Sequence, residues 1–299
     1  MVKKSLYPFE SHFLDLNGLK YHYLDEGQGD TVVMVHGNPT WSFYYRNLVL
    51  ALRGSCRVIA PDHIGCGLSD KPVDSGYSFT LKQRVDDLDA LLENLGLREK
   101  ITLVLHDWGG MIGMAYASRH PERIARLVIL NTGAFPLPAG KKFPLALKIC
   151  RDTQLGVFLI QGLNAFARIA ARIGCKRHPL SKELREAYCS PYDSWHHRIA
   201  TLRFVQDIPL HPGDSGYDLV QEVADGLHHF AALPMLILWG ELDFVFDHYF
   251  RDEWQRRFPA AEVHSYSDCG HYILEDAQEE VIPLIESFLQ QHPLPSAEK

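Results

Sequence analysis

An aspartate lies where a buried strand is predicted to turn sharply into a glycine-rich helix. Residues 101–105 are mostly apolar and rich in β-forming types, which is typical of a buried parallel strand. Gly109 and Gly110 begin a run of small residues that favours a helix packed closely on a sheet. Asp107, between the two, is ionised at neutral pH and could attack carbon without the base that a serine needs. The pattern predicts a covalent ester on Asp107; the alternative is that Asp107 only caps the helix.

A histidine and a second carboxylate follow late in the chain. His271, with an ordinary pKa of about 6.5, could take a proton from water that attacks such an ester. Asp243 could hold the tautomer of this histidine and stabilise its charged form, although Glu241 is close enough in sequence to take the same part. The order nucleophile, acid, histidine is that of hydrolases built on a strand–turn–helix nucleophile. An acid after the strand that ends near residue 130 is ruled out, because Asn131 carries no charge.

Two hydrogen-bond donors accompany these residues. Asn38, before a proline, and Trp108, next to the nucleophile, carry side-chain N–H groups that could bind an anion leaving a carbon atom. Their backbone N–H groups could instead form the oxyanion hole of an ester hydrolase. Tyr188 and Tyr192 leave a third alternative open, the opening of an epoxide, against which the Asn and Trp pair argues.

The elements that position these residues alternate between strand and helix patterns. Asn17-Gly18 joins a predicted hairpin, and apolar strands are expected at 31–36, 56–60, 101–105, 124–130, 234–239 and 262–266. We predict a doubly wound, mostly parallel sheet, with the site beyond the carboxyl ends of its strands. The alternation disappears between residues 133 and 214, so we predict an α/β core of residues 1–132 and 215–299 with an inserted helical cap of residues 133–214.

Composition excludes several classes of protein. A net charge of −7 argues against nucleic-acid binding. Gly65 and Gly67 lack the third glycine of a dinucleotide fingerprint, and the six cysteines form no C-x-x-C pair, so neither a cofactor nor a metal is expected. His106 and the doublets at 196–197 and 228–229 are interpreted as structural rather than as metal ligands. Without a leader or a membrane-spanning apolar run, the chain is predicted to be cytoplasmic.

The cap is both apolar and cationic. Its apolar residues exceed what a small helical unit needs for its own core, which predicts a long hydrophobic pocket for a small hydrophobic substrate. Between residues 140 and 177 there are eight Lys and Arg residues against Asp152 alone. Such a surface could simply be solvated, or it could contact an acidic protein or, by peripheral association, an anionic membrane.

These motifs are familiar as a set. His36-Gly37-Asn38-Pro39, His106-Asp107-Trp108-Gly109-Gly110, Gly240-Glu241-Leu242-Asp243 and Gly270-His271 resemble the haloalkane dehalogenase family of α/β hydrolases, in particular its third subfamily. The resemblance covers essentially the whole chain. It implies that Asp107 displaces halide, that His271 activates water beside Asp243, and that Asn38 and Trp108 bind the leaving halide.

Segments of the cap are similar to a narrower family, the β-lactone decarboxylases of bacterial long-chain olefin biosynthesis. The similarity lies in residues 133–138, 164–168, 190–200 and 204–210. It implies conversion of a cis-β-lactone to a cis-alkene and carbon dioxide, and a complex with a β-lactone synthetase. The alternatives are a haloalkane dehalogenase that yields a halide and a primary alcohol, and a non-catalytic binding module, which would be expected to lack at least one of these site residues.

Overall fold

The architecture is known from a computed structural model that describes residues 2–98 and 100–294; the last residues of the predicted core, 295–299, lie outside this part. Its strands form one sheet in the order β1-β2-β4-β3-β5-β6-β7-β8, parallel except where β2 pairs with β1 and β4. This confirms the predicted doubly wound, mostly parallel α/β sheet. The strands are β1 (His12–Leu16), β2 (Leu19–Glu26), β3 (Asp30–Val35), β4 (Cys56–Pro61), β5 (Ile101–Asp107), β6 (Ile124–Thr132), β7 (Met235–Gly240) and β8 (Glu262–Tyr266).

Helices cover both faces of the sheet, because the central strands are apolar on both sides. Alternate residues of the central strands belong to different hydrophobic clusters. Val33 and Leu105 share a cluster with side chains of α2, α3 and α10, whereas Val32 and Val104 share one with side chains of α1 and α12. These helices are α1 (Arg46–Leu52), α2 (Leu81–Asn94), α3 (Trp108–Arg119), α10 (His248–Arg257), α11 (Ile273–Asp276) and α12 (Gln278–Gln291). Short 3₁₀ segments occupy Ser42–Tyr45, Pro121–Arg123, His196–Arg198 and Leu227–Phe230.

The remaining helices lie between β6 and β7 and include the predicted cap. They are α4 (Leu145–Asp152), α5 (Gln154–Val157), α6 (Ala165–Ile173), α7 (Lys182–Cys189), α8 (Ile199–Gln206) and α9 (Tyr217–Gly226), with a π-helical turn at Phe158–Gly162. The last of these, α9, packs against α3 of the sheet layer. The first helix after the predicted cap therefore lies against the sheet layer.

Among the described residues, no single helix is long and apolar enough to cross a membrane. One pair, Gln154–Gly162 and Ala165–Ile173, passes the same test of length and composition when joined, but it is bent by 72°.

A buried ion pair between α1 and α11 also binds a residue of the cap. Arg46 Nη2 donates to Glu275 Oε2 at 2.9 Å, and the side chains are 5% and 4% exposed. The cap hydroxyl of Tyr188 donates to the same carboxylate. Three elements that are far apart in the chain therefore meet at one buried charge pair.

Replacing Glu275 by glutamine is expected to lower the free energy of unfolding by about 3–5 kcal/mol, because Arg46 would remain buried without its counter-charge. Urea unfolding followed by circular dichroism measures this change. Glu279→Gln, at an exposed position of α12, is the control and should change stability by less than about 0.5 kcal/mol. Equal stability of the two variants would contradict the prediction.

Candidate active site

Asp107 lies at a strained turn between β5 and α3. Its φ of 54° is in the left-handed region, which non-glycine residues rarely adopt. The close approach of three backbones requires the small neighbours: a Cβ on Gly109 would collide with the carbonyl of Val35, and one on Gly110 with Thr132. The Asp107 side chain makes no capping hydrogen bond to the helix. Asp107 therefore occupies the N-cap position of α3, but its side chain does not cap the helix.

Gly37 leaves the space that the Asp107 carboxylate occupies. A Cβ at Gly37 would overlap Oδ1 and Cγ of Asp107. Gly37→Ala is therefore expected to displace the carboxylate and to lower kcat/KM about 10²-fold, the usual cost of a misplacement of about 1 Å. Turnover assays measure this effect. Gly54→Ala is the matched control, since a Cβ there meets nothing within 4 Å; an equal effect of the two substitutions would contradict the prediction.

Backbone donors hold the Asp107 carboxylate. The N–H of Asn38 donates to Oδ1 at 2.6 Å. Burial raises the pKa of Asp107 above its ordinary value, against the opposing effects of the charge on His271 and the N–H groups of Asn38 and Trp108. With Oδ1 fixed in this way, Oδ2 is the oxygen that points toward His271, 3.6 Å from its Nε2.

His271 joins the two carboxylates. Its Nδ1 donates to Asp243 Oδ2 at 2.6 Å, which leaves Nε2 facing Asp107. Burial alone would lower the pKa of His271, but the charge of Asp243, its hydrogen bond and the charge of Asp107 raise this pKa above the ordinary value. The structure thus brings together three of the predicted residues in the geometry of a nucleophile, a base and an orienting acid.

Asp243 is fixed by its surroundings. Its Oδ1 accepts from the N–H groups of Val245 and Phe246 at 2.8 and 3.1 Å, and Asn131 Nδ2 donates to its Oδ2 at 3.1 Å. Glu241, the alternative acid, is paired with Arg251 instead. Of the two carboxylates that the sequence left open, only Asp243 contacts His271.

His106 packs against His271 and bonds to its backbone. Its Nε2 donates to the carbonyl of His271 at 2.9 Å, and the two rings lie 4.5 Å apart. Burial, and then the charge on His271, keep the pKa of His106 well below its ordinary value, so its ring stays neutral. The interpretation of His106 as structural holds, but its contact with His271 was not predicted, because no local pattern indicates a bond across 165 residues.

Asn38 and Trp108 line the same cavity as Asp107 and His271. One hydrogen of Asn38 Nδ2 is directed at the carbonyl of Thr201 in α8, at 3.2 Å, and the amide carries a second. The cap therefore fixes the orientation of this amide, a feature the sequence did not predict. All five predicted site residues meet at the carboxyl end of the sheet.

The cavity is apolar and lies between the sheet and the cap. Its volume is about 400 Å³, and it is lined by side chains of α4, α5, the π-helical turn, α6 and the loop after β7, including Leu147, Leu159, Phe166, Ile173 and Phe246. Asn38, Asp107, Trp108 and His271 lie on its wall, and Lys141, which also lines it, is paired with Asp247. Such a cavity fits a small hydrophobic molecule whose reactive group reaches Asp107.

Tyr188 and Tyr192 do not serve this cavity. Tyr188 donates to Glu275, and the hydroxyl of Tyr192 donates to the carbonyl of Thr40 at 3.3 Å. Among the described residues, neither tyrosine belongs to the cavity wall. The proton donors that epoxide opening would need are therefore directed elsewhere.

Comparison with known proteins places these features among enzymes. A family model for the alpha/beta hydrolase fold matches residues 30–149. A cis-3-alkyl-4-alkyloxetan-2-one decarboxylase of Shewanella oneidensis is 62% identical over 96% of this chain and 90% of its own length. A haloalkane dehalogenase of Mycolicibacterium paratuberculosis is 31% identical over 95% of this chain and 94% of its own length. The crystal structure of a mutant haloalkane dehalogenase from Agrobacterium tumefaciens C58 superposes with a TM-score of 0.85 at 24% identity, covering 96% and 99% of the two chains.

Proposed function

The chain belongs to the α/β-hydrolase fold family, in the branch of the cis-3-alkyl-4-alkyloxetan-2-one decarboxylases and haloalkane dehalogenases, and we propose that it decarboxylates long-chain cis-β-lactones. An oxetan-2-one is a four-membered β-lactone. The observation that carries the proposal is the likeness of the whole chain to a decarboxylase of this ring, at 62% identity. The apolar cavity that ends at Asp107 and His271 supports it, because it would hold two alkyl chains and present the ring to the carboxylate.

We assign the first step to Asp107. Its Oδ2 forms a bond to the β-carbon of the lactone with inversion, and the bond between that carbon and the ring oxygen breaks. The electron pair leaves with the released carboxylate of the substrate. The side-chain N–H groups of Asn38 and Trp108 would bind this new anion, while the backbone N–H of Asn38 continues to hold Oδ1 of Asp107.

The second step needs no water. The bond from the α-carbon to the substrate carboxylate breaks, its electron pair forms the double bond, and the β-carbon–oxygen bond to Asp107 breaks. Carbon dioxide and the alkene leave, and Asp107 regains its charge. After inversion the ester oxygen lies anti to the carboxylate, so anti elimination converts the cis-lactone to a cis-alkene.

A different first attack is open to the same residues. If Asp107 attacks the lactone carbonyl instead, the bond between that carbon and the ring oxygen breaks and leaves an anhydride with a β-hydroxyl group. Water activated by His271 would hydrolyse this anhydride to a β-hydroxy acid rather than to an alkene. Turnover in heavy-oxygen water separates the routes: the β-carbon route leaves the Asp107 carboxylate unlabelled, and solvent label in it would contradict that route.

A paired assay tests the function itself. The protein is incubated with a synthetic cis-β-lactone and, separately, with 1-bromoalkanes; alkene and bromide are measured. We expect equimolar alkene and carbon dioxide from the lactone at a rate well above that of bromide release. Bromide release with no alkene would favour the second candidate, a haloalkane dehalogenase working through an alkyl ester on Asp107, which the Mycolicibacterium relative supports.

We further propose that the chain is cytoplasmic and works in a complex with a β-lactone synthetase. A long-chain β-lactone is sparingly soluble in water, so transfer between neighbouring enzymes would avoid release of the ring into solvent. Co-purification of a tagged chain with the synthetase is the expected result. If no more synthetase is recovered with the tagged chain than on an empty resin, the proposed complex is contradicted, whereas the proposed chemistry is unaffected.

A further inference from the structure

We propose that the outer face of the cap docks on an anionic lipid bilayer: a cationic cleft holds lipid phosphates, and neighbouring apolar side chains enter the acyl layer where the substrate cavity reaches the surface. The proposal concerns how the substrate arrives and the product leaves. It rests on the proposed function only in that both molecules carry long alkyl chains.

The cleft is a separate cavity from the one that Asp107 lines. It has a volume of about 530 Å³ and opens between α6, α7 and the loop 190–198. Among the described residues of its wall, five are cationic and two are carboxylates: Arg168, Arg172, Lys182, Arg185 and Arg198, against Glu186 and Asp193. The cleft therefore carries a net positive charge that favours phosphate.

The arginines of the cleft have few partners of their own. Within residues 2–98 and 100–294 none of the four forms an ion pair with a carboxylate. Arg172 and Arg198 donate to backbone carbonyls only, at 3.4 Å and at 2.6–3.1 Å. Burial and the like charge of Arg168 lower the pKa of Arg198. An anion in the cleft would relieve this repulsion.

Asn164 lies on the same wall and is 4% exposed. Its Nδ2 donates to the carbonyl of Tyr192 at 3.0 Å, while its buried Oδ1 has no hydrogen-bond partner among the described residues. An acceptor without a donor costs free energy when it is buried. A hydroxyl of a glycerol headgroup would supply that donor beside the phosphate.

Apolar side chains stand exposed beside the cleft. Leu155, Phe158, Leu163, Ile169 and Trp195 are 56%, 54%, 47%, 51% and 52% exposed. We call these five residues the apolar patch. A concentration of exposed large apolar residues marks an interaction site rather than ordinary surface.

The patch is continuous with both cavities. Its Leu155 and Ile169 also line the substrate cavity, so that cavity meets solvent within the patch. On the other side, Arg198 of the cleft donates to the carbonyl of Gly162, where Phe158 and Trp195 come together. Cations, patch and cavity mouth therefore form one surface.

Helix α6 is the shared wall. Phe166, Ile169 and Ile173 face the substrate cavity, whereas Arg168 and Arg172 face the cleft. This division follows the helical period, with one apolar face and one cationic face. A lipid phosphate bound to α6 would hold the helix in place at the entrance to the cavity.

The bent helix pair of the cap suits a position at the surface of a bilayer. Gln154–Gly162 and Ala165–Ile173 are apolar enough to pass together as a span, but they meet at 72°. Each arm of nine residues would reach only about 14 Å, against about 30 Å for the hydrocarbon core. A cationic, apolar element of this length lies in the interface rather than across it.

Sedimentation of the full chain with lipid vesicles tests the proposal. One set of vesicles contains equal parts of phosphatidylcholine and phosphatidylglycerol, and the other contains phosphatidylcholine alone. We expect the protein to sediment with the anionic vesicles, more weakly at high salt, and to stay in solution with the neutral ones. No sedimentation with anionic vesicles would overturn the proposal.

Two double variants locate the surface. Arg168→Glu with Arg172→Glu should weaken binding more than about tenfold, because each arginine near an anionic surface contributes about 1 kcal/mol, or about fivefold. Phe158→Ser with Leu163→Ser should also weaken it. Lys82→Glu, 71% exposed, and Phe13→Ser, 50% exposed, are matched controls elsewhere and should bind like the parent. Binding of the arginine variant equal to the parent would refute the assignment.

Turnover separates this proposal from the proposed function. All these variants should keep the parent rate on a short-chain, water-soluble cis-β-lactone, which needs no membrane. The arginines could instead prove necessary for binding purified β-lactone synthetase, while the protein does not bind anionic vesicles. In that case the surface binds a protein and the lipid proposal is wrong. Displacement from vesicles by inorganic phosphate, beyond that by chloride of equal ionic strength, would show that the cleft recognises the phosphate itself; chloride acting equally would contradict the headgroup contact.

Discussion

Asp107→Asn is expected to lower the rate of lactone turnover at least about 10⁴-fold, the scale of losses seen when a catalytic nucleophile is removed. An amide has the shape of the carboxylate but not the charge that attacks carbon. Asparagine also tolerates the φ of 54° at this turn better than alanine does, so the backbone should stay in place. Single-turnover formation of alkene measures the loss, with intact mass used to verify that the amide persists.

The matched control is Asp89→Asn. Asp89 lies in α2, remote from the cavity, and pairs with His120. Its substitution should leave the rate within about twofold of the parent, since it touches none of the groups around Asp107. A rate for Asp107→Asn within tenfold of the parent rate would show that Asp107 is not the nucleophile.

His271→Ala is expected to separate the two chemistries of the site. A bromoalkane leaves an alkyl ester on Asp107, and hydrolysis of this ester needs an activated water. Steady-state bromide release should therefore fall about 10³-fold or more. Lactone turnover through the β-carbon needs no water and should fall much less. Parallel assays of alkene and bromide on the same preparation measure the difference.

The pH dependence carries the same distinction. A base must be neutral, so any hydrolysis that uses His271 is lost as the pH falls through its pKa, which lies above the ordinary value. The β-carbon route requires only that Asp107 be ionised; its pKa is raised by burial above the ordinary carboxyl value, and activity is lost as the pH falls through it. Bromide release needs His271 neutral as well as Asp107 ionised, so alkene formation should not be lost at a higher pH than bromide release. Equal losses in the variant would contradict the water-free β-carbon route, as would alkene formation that is lost at a higher pH than bromide release.

Local patterns were sufficient to predict the sheet and the convergence of the candidate site residues at its carboxyl edge. Asp107, Asp243 and His271 each come after a strand that the sequence predicts from its apolar run. Because parallel strands have their carboxyl ends at the same edge of a sheet, the three residues are brought together. The strand predicted at 262–266 matches β8, and the one predicted at 31–36 differs from β3 by one residue at each end. His36 falls outside β3, and its Nδ1 donates to the carbonyl of Gly37 at 2.7 Å.

The supporting contacts could not be predicted in this way. Asn131 bonds to Asp243 across 112 residues, and Asn38 bonds to Thr201 across 163. The first contact depends on how the ends of β6 and β7 pack together, and the second on how the cap packs on the sheet. No residue type or spacing in the sequence encodes either. The same holds for the cationic cleft: the charge run of residues 140–177 is visible in the sequence, but α6 divides it from the cavity only once the helices have packed.

The most direct test of Asp107 as the nucleophile is to trap the covalent intermediate between Asp107 and the substrate. The protein is mixed with a synthetic cis-β-lactone, quenched in acid within one turnover, digested and examined by mass spectrometry. We expect the peptide that contains Asp107 to gain the full mass of the lactone and the same peptide of Asp107→Asn to gain nothing. An adduct on another residue, or alkene formed at the parent rate by Asp107→Asn, would contradict it.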